Sequence, residues 1–588
     1  MSKKKIDKIN DLIAEENFEE AKAELLTVIK NDEKDYENLK LLGLCYVNLE
    51  EFEEGRKAFE TVVKYKQDDA TSWFYLANCY DNLGDFISAE NAYLEVIKLR
   101  ENYLDAYKNL AILYIKNKKE DKAVELMEKA LAFEENDYSI YYILGTSCMS
   151  LKRYEESIKY FEKAIELNPE HSQLYNNVGT CYTALNDFEH ALEYFEKAVE
   201  IDPDESISYF NLASLLQSEN RHEEAAKFLE KAYAIEPKDN YLVALALSMV
   251  KLEDWEKAIK YYKILITHNP AVTTYQYNIA CCFEKVRMYD HAISILAHLA
   301  VLNPKSVNIL QKLAQMYAKI CQFGNAKLVY EKLILQGNIS ADIYFEYAQV
   351  CANVNDLDNA EKYLRKVVTI DPEYAAAYKD LGIIYMSRKQ FDYAEIEFKN
   401  ALKYKPDDLS IVFEYANFLH ATTHFEEADE MYEKALSLNP EDHQALAFSA
   451  LNKILLKDFD TADKRITKAL EKQPNSAFYL YIAAKIKYNA KDYEEAKRYL
   501  VSAYEKNPTL EVENLLALTY YELGNWEIAA NLFNKIINEN GDNLNLLLYL
   551  AQCYEKLGEI DKALEKLYVI TDLFPDCESA QEMIRRIS

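Results

Sequence analysis

The sequence predicts an all-α solenoid, and three observations predict it. The 11 prolines, from Pro169 to Pro575, stand 33 or 34 residues apart or at about twice that interval. Proline lacks the helical N–H donor and forces its predecessor out of the helical region, so each one closes a helical unit. Between them, apolar residues recur at spacings of three and four, the period of an amphipathic helix. Glycine numbers only 11 in 588 residues, too few for a fold of many strand-to-helix turns or for glycine-rich phosphate loops.

One repeat, Ser172 to Glu205, shows the elements in order. Tyr175, Val178, Gly179 and Tyr182 share one face of a first helix, Leu185-Asn186-Asp187 supplies a turn, and Ala191, Phe195 and Ala198 line a second helix that ends before Pro203. Gly179 and Ala191 fall where the two helices must approach closely, with Phe195 and Tyr182 filling the gaps beside them. A lone hairpin leaves one face bare, so each copy needs neighbours. The register recurs from residues 2, 36, 70, 104, 138, 172, 206, 239, 273, 307, 341, 375, 409, 443, 477, 510 and 544, which makes 17 repeats. Small residues hold the eighth place (Gly43, Ala77, Ala111, Gly145, Gly179) and the twentieth (Ala89, Ala123, Ala258). Seven of the ten cysteines fall at the tenth or eleventh place and read as buried free thiols.

Trp73, Leu76-Ala77, Tyr80, Ala89 and Tyr93 stand where the tetratricopeptide repeat (TPR) family has W, LG, Y, A and F or Y, and the pattern resembles that family over residues 2–575. The resemblance implies a right-handed superhelical solenoid of about 17 antiparallel helix-turn-helix units. Residues 1–35 read as an N-terminal capping repeat, since Ile9 replaces the small eighth residue. Residues 36–575 read as a continuous array of about 16 repeats. Residues 576–588 read as a short C-terminal capping helix with Arg585 and Arg586 outside.

A formal charge of −31 disfavours nucleic acid and anionic membrane surfaces as partners. No segment offers 18 uncharged apolar residues, and no apolar stretch follows the first lysines, so the expectation is a cytoplasmic protein without a secretory signal. Nucleophile, zinc and phosphate-loop motifs are missing. His420 and His424 make the nearest approach to a metal pair, but His424 falls in a turn, and the two read as surface residues. The expectation is no enzyme, no cofactor and no metal.

Function should therefore come from the surface. The family resemblance assigns the lining of a concave groove to places 2, 5, 6, 9, 12 and 13, which from residue 36 onward hold eleven acidic and ten basic residues. The acidity belongs to the outside. Repeats 138, 172 and 206 carry no charge at these places, and the candidate peptide site is Asn109, Tyr142, Asn176, Asn177, Thr180, Phe210, Asn211, Tyr277 and Asn278. Amides both donate and accept, so a row of them can hold an extended backbone. Asparagine at the sixth place is also a family consensus, and both readings stand. The fifth place is aromatic in every other repeat from Phe74 to Tyr481, as evenly spaced anchors or as the trace of a duplicated pair. The clamp of a fifth-place lysine and a ninth-place asparagine, with which family members grip chaperone tails, is absent: Lys40, Lys108 and Lys379 are followed by Leu44, Ile112 and Ile383.

Towards the C-terminus the lining turns apolar, with Phe448, Leu451, Leu455, Tyr481, Ile482, Leu515 and Leu518, while Lys453 and Lys487 take the normally buried eleventh place. Either an open apolar strip binds a helix or a second copy, giving a homodimer through the C-terminal repeats, or rotated helices bury these residues as core. The expected function is a non-enzymatic scaffold that binds an extended or helical protein segment. The alternatives are a substrate-recruiting subunit of a glycosyltransferase or protease complex and a self-associating structural protein.

Overall fold

The computed structural model describes residues 3–29, 35–337 and 339–588. Among them are 35 helices and no strand. The helices form 17 pairs, from Lys3–Ala14 with Phe18–Ile29 to Leu544–Leu557 with Ile560–Leu573, and Glu578–Ile587 follows the last pair. Each repeat is named below by its first residue. The join expected near residue 35 follows residues 30–34, which lie outside the described residues, as do Met1 and Ser2. The chain forms two compact parts, Met1–Leu299 and Ala300–Ser588, each an all-α stack of helix pairs.

The hairpin turn is the same everywhere. At the fifteenth place φ lies between 56° and 79° in all 17 repeats, yet only Gly84, Gly524 and Gly558 are glycine. This is the left-handed region that ends helices, and it is hardest for the β-branched Thr423, at φ 66°. The next residue starts the second helix. In six repeats it is aspartate (Asp85, Asp187, Asp254, Asp356, Asp458, Asp492), whose carboxylate accepts an N–H of the first turn.

Close approach explains the eighth place. A Cβ at Gly43, Gly145, Gly179 or Gly382 would lie 2.6–2.9 Å from the ring of Phe59, Phe161, Phe195 or Phe398, at the twenty-fourth place of the same repeat. The glycine makes room for the ring. Where the twenty-fourth residue is Leu229, Leu296 or Leu364, the eighth is alanine, and both are buried. The seven cysteines of the tenth and eleventh places are buried free thiols, and burial pushes Cys148 and Cys282 up to about 11. At the far end, Ala580 and Met583 of the last helix bury themselves against Leu547, Leu567 and Ile570.

Candidate peptide-binding groove

The lining is decided by which way each first helix turns its fifth and sixth residues. In six repeats the fifth-place side chain packs along the seam between repeats, against the last residue of its own repeat. Phe74 meets Tyr103 at 5.1 Å between ring centroids, Phe345 meets Tyr374 at 5.0 Å, and Tyr142 lies 6.2 Å from the His171 ring. Lys40 pairs with Asp69 at 2.8 Å, Lys108 with Asp137 at 2.5 Å, and Asn176 donates to Glu205 Oε2 at 3.1 Å. In these repeats aromatic meets ring and cation meets anion, whereas Phe210 and Phe413 lie against Tyr241 and Phe448 of the next repeat, at 5.0 and 5.6 Å between centroids.

This seam absorbs part of the candidate site. Asn176 is 1% exposed, and its Nδ2 also donates to Ser208 Oγ at 2.7 Å, so it faces the next repeat and not the groove. Asn177 is buried, its Oδ1 accepting from Gln173 Nε2 at 3.1 Å. Asn211 is half-buried, and its Nδ2 reaches Asn176 Oδ1 at 3.4 Å. Asn109 donates to Asn78 Oδ1 at 3.1 Å, an oxygen that also accepts the buried Tyr93 hydroxyl. Asn278 donates to the hydroxyl of Tyr262 at 3.2 Å. Asn278 thus bonds a tyrosine that the second helix aims inward, and Asn109 reaches one through Asn78. Phe210 and Tyr277 are half-buried, the former 5.0 Å from the Tyr241 ring.

What faces outward is a cleft of about 370 Å³ between the first helices Ser172–Ala184 and Ser206–Ser218, lined by Thr180, Thr183, Asn211 and Ser214 over a floor that includes Phe195. The hydroxyls of Thr180, Thr183 and Ser214 donate at 2.8 Å to the carbonyls of Asn176, Gly179 and Phe210, four residues back. Each proton is therefore committed to the helix. The oxygens remain acceptors, so the cleft presents neutral acceptors to an incoming N–H.

In the C-terminal part the apolar candidates divide. Ile482 is 0% exposed and belongs to the core with Ile466 and Ile486, because its helix turns the sixth place inward there. Phe448, Leu451, Tyr481, Leu515 and Leu518 are half-buried, while Leu455 and Phe478 are about 40% exposed. Phe413, Phe448 and Phe478 form a run of rings with centroids 5.6 and 5.3 Å apart. Phe478, Tyr481 and Val512 line a cleft of about 380 Å³. Lys453 and Lys487 need no rotated helix: they pair at 2.9 Å with Asp429 and Asp463, on the second helix of the preceding repeat. In repeat 104 the eleventh-place Tyr114 hydroxyl donates to Glu90, at the corresponding place, at 2.9 Å. Lysine does there what tyrosine does elsewhere.

A third stretch carries no motif that singles it out in the sequence. Repeats 341, 375 and 409 place Glu346, Asp380 and Glu414 in succession at the sixth place. Asp380, with a side chain 19% exposed, accepts from Gln349 Nε2 at 3.3 Å and lies 3.4 Å from Lys379 Nζ. Burial pushes its carboxyl above the ordinary range, an effect Lys379 only partly offsets. His420 and His424 turn to different partners, Asn452 Oδ1 at 2.9 Å and Thr422 Oγ1 at 3.0 Å. Among the described residues no helix is long and apolar enough to cross a membrane.

Stacked hairpins of one period, with small residues at the helix crossings, define an all-α repeat protein. Family models for the tetratricopeptide repeat match residues 42–94, 104–137, 137–204, 354–412 and 409–442, and the model for anaphase-promoting complex, cyclosome, subunit 3 matches 184–265 and 500–568. The chain is a tetratricopeptide repeat protein. Solved structures it is similar to include the APC/C hetero-tetramer Cut9-Hcn1, at 16% identity over 88% of this chain and 96% of that one, with a TM-score of 0.38. A tetratricopeptide repeat protein from Parabacteroides merdae matches at 20% identity over 42% and 98%, with a TM-score of 0.33. YrrB, described as having an unusual peptide-binding site, matches at 24% identity over 32% and 97%, with a TM-score of 0.28. No curated protein matches the sequence.

Proposed function

We propose that the chain is a non-enzymatic, cytoplasmic protein–protein interaction scaffold whose first-helix faces bind an extended segment of a partner protein. The observation that carries this reading is the uncharged cleft of Thr180, Thr183, Asn211 and Ser214. Three of its hydroxyl protons are fixed on helix carbonyls, so its oxygens suit a peptide's N–H groups without regard to sequence. The site narrows from the asparagine row to these outward groups, with Tyr142 and Phe210 at its margin. Residues 1–35 and 576–588 serve as caps of the array in this reading. Replacing Thr180 and Asn211 together by alanine removes about two hydrogen bonds and should weaken partner capture about tenfold with helicity unchanged. Undiminished capture assigns both residues to the fold alone.

The run Phe413, Phe448 and Phe478 favours a second reading, in which the C-terminal first helices receive an amphipathic helix or a second copy of the chain.

A further inference from the structure

Fifth-place rings of this chain are covered by other rings, and these come from three places. Tyr103, His171 and Tyr374, each the last residue of a repeat, cover Phe74, Tyr142 and Phe345. Repeat 206 is one residue shorter, and there Tyr241, from the third place of the next repeat, covers Phe210 instead. Phe448, from the sixth place of the next repeat, covers Phe413. Tyr481 has none of these. Repeat 477 is also one residue short, and the three places hold Thr509, Val512 and Leu515. Among the described residues no ring stacks on Tyr481 and no group bonds its hydroxyl.

The space left by the missing ring is the cleft of about 380 Å³ between Phe478, Tyr481 and the buried Val512, with Asn507, Thr509 and Glu511 at its edge. Protein interiors are close-packed, so an aromatic seam without its covering ring is a concave, mostly apolar site that a ligand can fill. The chain itself shows what fits. In repeat 341 the ring of Tyr374 lies over Phe345, and its hydroxyl donates at 3.0 Å to Asp342 Oδ1, at the second place. In repeat 477 the second place is Phe478, and the carboxylate is supplied by Glu511, which pairs with no cation among the described residues. Glu511 stands near enough to Tyr481 to help burial push that phenol up. A tyrosine offers a ring to Phe478 and Tyr481 and a hydroxyl donor to Glu511, whereas phenylalanine offers the ring alone. We propose that this cleft takes a tyrosine side chain of a partner protein, whose ring completes the seam and whose hydroxyl donates to Glu511. The proposal rests on the reading of the C-terminal first helices as a receiving face and gives that face an anchor.

The test is saturation-transfer NMR of the full chain titrated with N-acetyl-L-tyrosinamide, N-acetyl-L-phenylalaninamide and N-acetyl-L-leucinamide. We expect the tyrosine probe to bind about tenfold tighter than either of the others, the factor that one hydrogen bond to a charged group supplies. Glu511→Ala should level the tyrosine and phenylalanine probes. Thr509→Tyr supplies the ring within the chain and should abolish binding of the tyrosine probe, and Thr509 makes no side-chain cap bond for the change to lose. Phe478→Ala removes a wall that is 40% exposed, should weaken the tyrosine probe several-fold, and keeps the test open if Thr509→Tyr fails to fold. A tyrosine probe that does not bind, that binds no better than either of the others, or that binds unchanged to the folded variants overturns the proposal. Self-association or helix capture by the variant Phe448→Asp with Leu451→Asp decides the wider face, so the anchor and the face stand or fall separately.

Discussion

The first helices of repeats 172 and 443 share one backbone and one register, yet they present opposite chemistries. At the ninth place repeat 172 carries the exposed Thr180 and repeat 443 the half-buried Leu451. Their second helices barely differ, for Ala191 and Ala198 correspond to the equally buried Ala462 and Ala469. The places that make hairpins are thus held constant while the ninth place varies. A repeat array can in this way change its surface along its length without changing its fold.

The largest effect should come from placing charge in the apolar stretch. Phe448→Asp with Leu451→Asp puts two carboxylates among half-buried rings and methyls, and should abolish any association made through these helices. Light scattering and a helix-bearing partner peptide read association, and circular dichroism reads the fold. Retained association excludes this face as an interface, while lost helicity makes both side chains core. The matching change at Thr180 and Thr183 should leave helicity intact, since Thr180 is exposed and Thr183 half-buried.

A smaller effect separates a glycine of the crossing from a glycine of the surface. Gly179→Ala sets a Cβ 2.8 Å from the Phe195 ring, which is buried and has little room to yield, and should cost about 1–3 kcal/mol. Gly324 lies inside the helix Phe323–Gln336 with nothing within 4 Å of its added Cβ. There alanine only stiffens the chain, and Gly324→Ala should gain about 0.5–1 kcal/mol. Chemical denaturation of the two variants checks the pair, and like signs for both would undo the account of the eighth place.

The core was legible in the sequence because each of its places admits one kind of residue. Helical periodicity and side-chain volume alone put Gly179 opposite Phe195 and Ala191 at the twentieth place. The groove was half legible. Its ninth and twelfth places point outward in repeat 172, but the fifth and sixth sit where groove meets seam, and a modest turn of the helix decides between them. That turn buries Asn176 against Ser208 and Ile482 against Ile466, and nothing local to either residue announces it. The signal that was available lies one repeat-length away. In six repeats the fifth-place partner is the last residue of the repeat, and pairing Lys40 with Asp69 or Phe74 with Tyr103 identifies the seam there.

The smallest expected effect distinguishes two aspartates that do one job. Asp187 and Asp356 both stand at the sixteenth place and cap a second helix, but Asp187 bonds the His190 ring at 2.8 Å and Asp356 bonds Lys327 at 2.6 Å. The hydrogen bond to Asp187 raises the imidazole's pKa above its usual range and lowers the carboxyl's. Since the His190 pKa is higher folded than unfolded, its contribution is full below about 6.5 and is lost as pH rises through the raised value. The Asp187 contribution has the opposite sign, present above about 3.9 and lost as pH falls. The Asn359 amide and the Lys327 ammonium hold Asp356 down to about 2, and lysine keeps its charge far into alkali. Amide exchange in the first turn of Phe188–Ile201, corrected for intrinsic rates, should therefore lose protection between about pH 6 and 8. The first turn of Leu357–Ile370 should stay level over the same range. Asp187 and Asp356 are half-buried at the surface and His190 is exposed, so the change will be small. His190→Gln should flatten it, and a pH response that persists in that variant would assign it to another group.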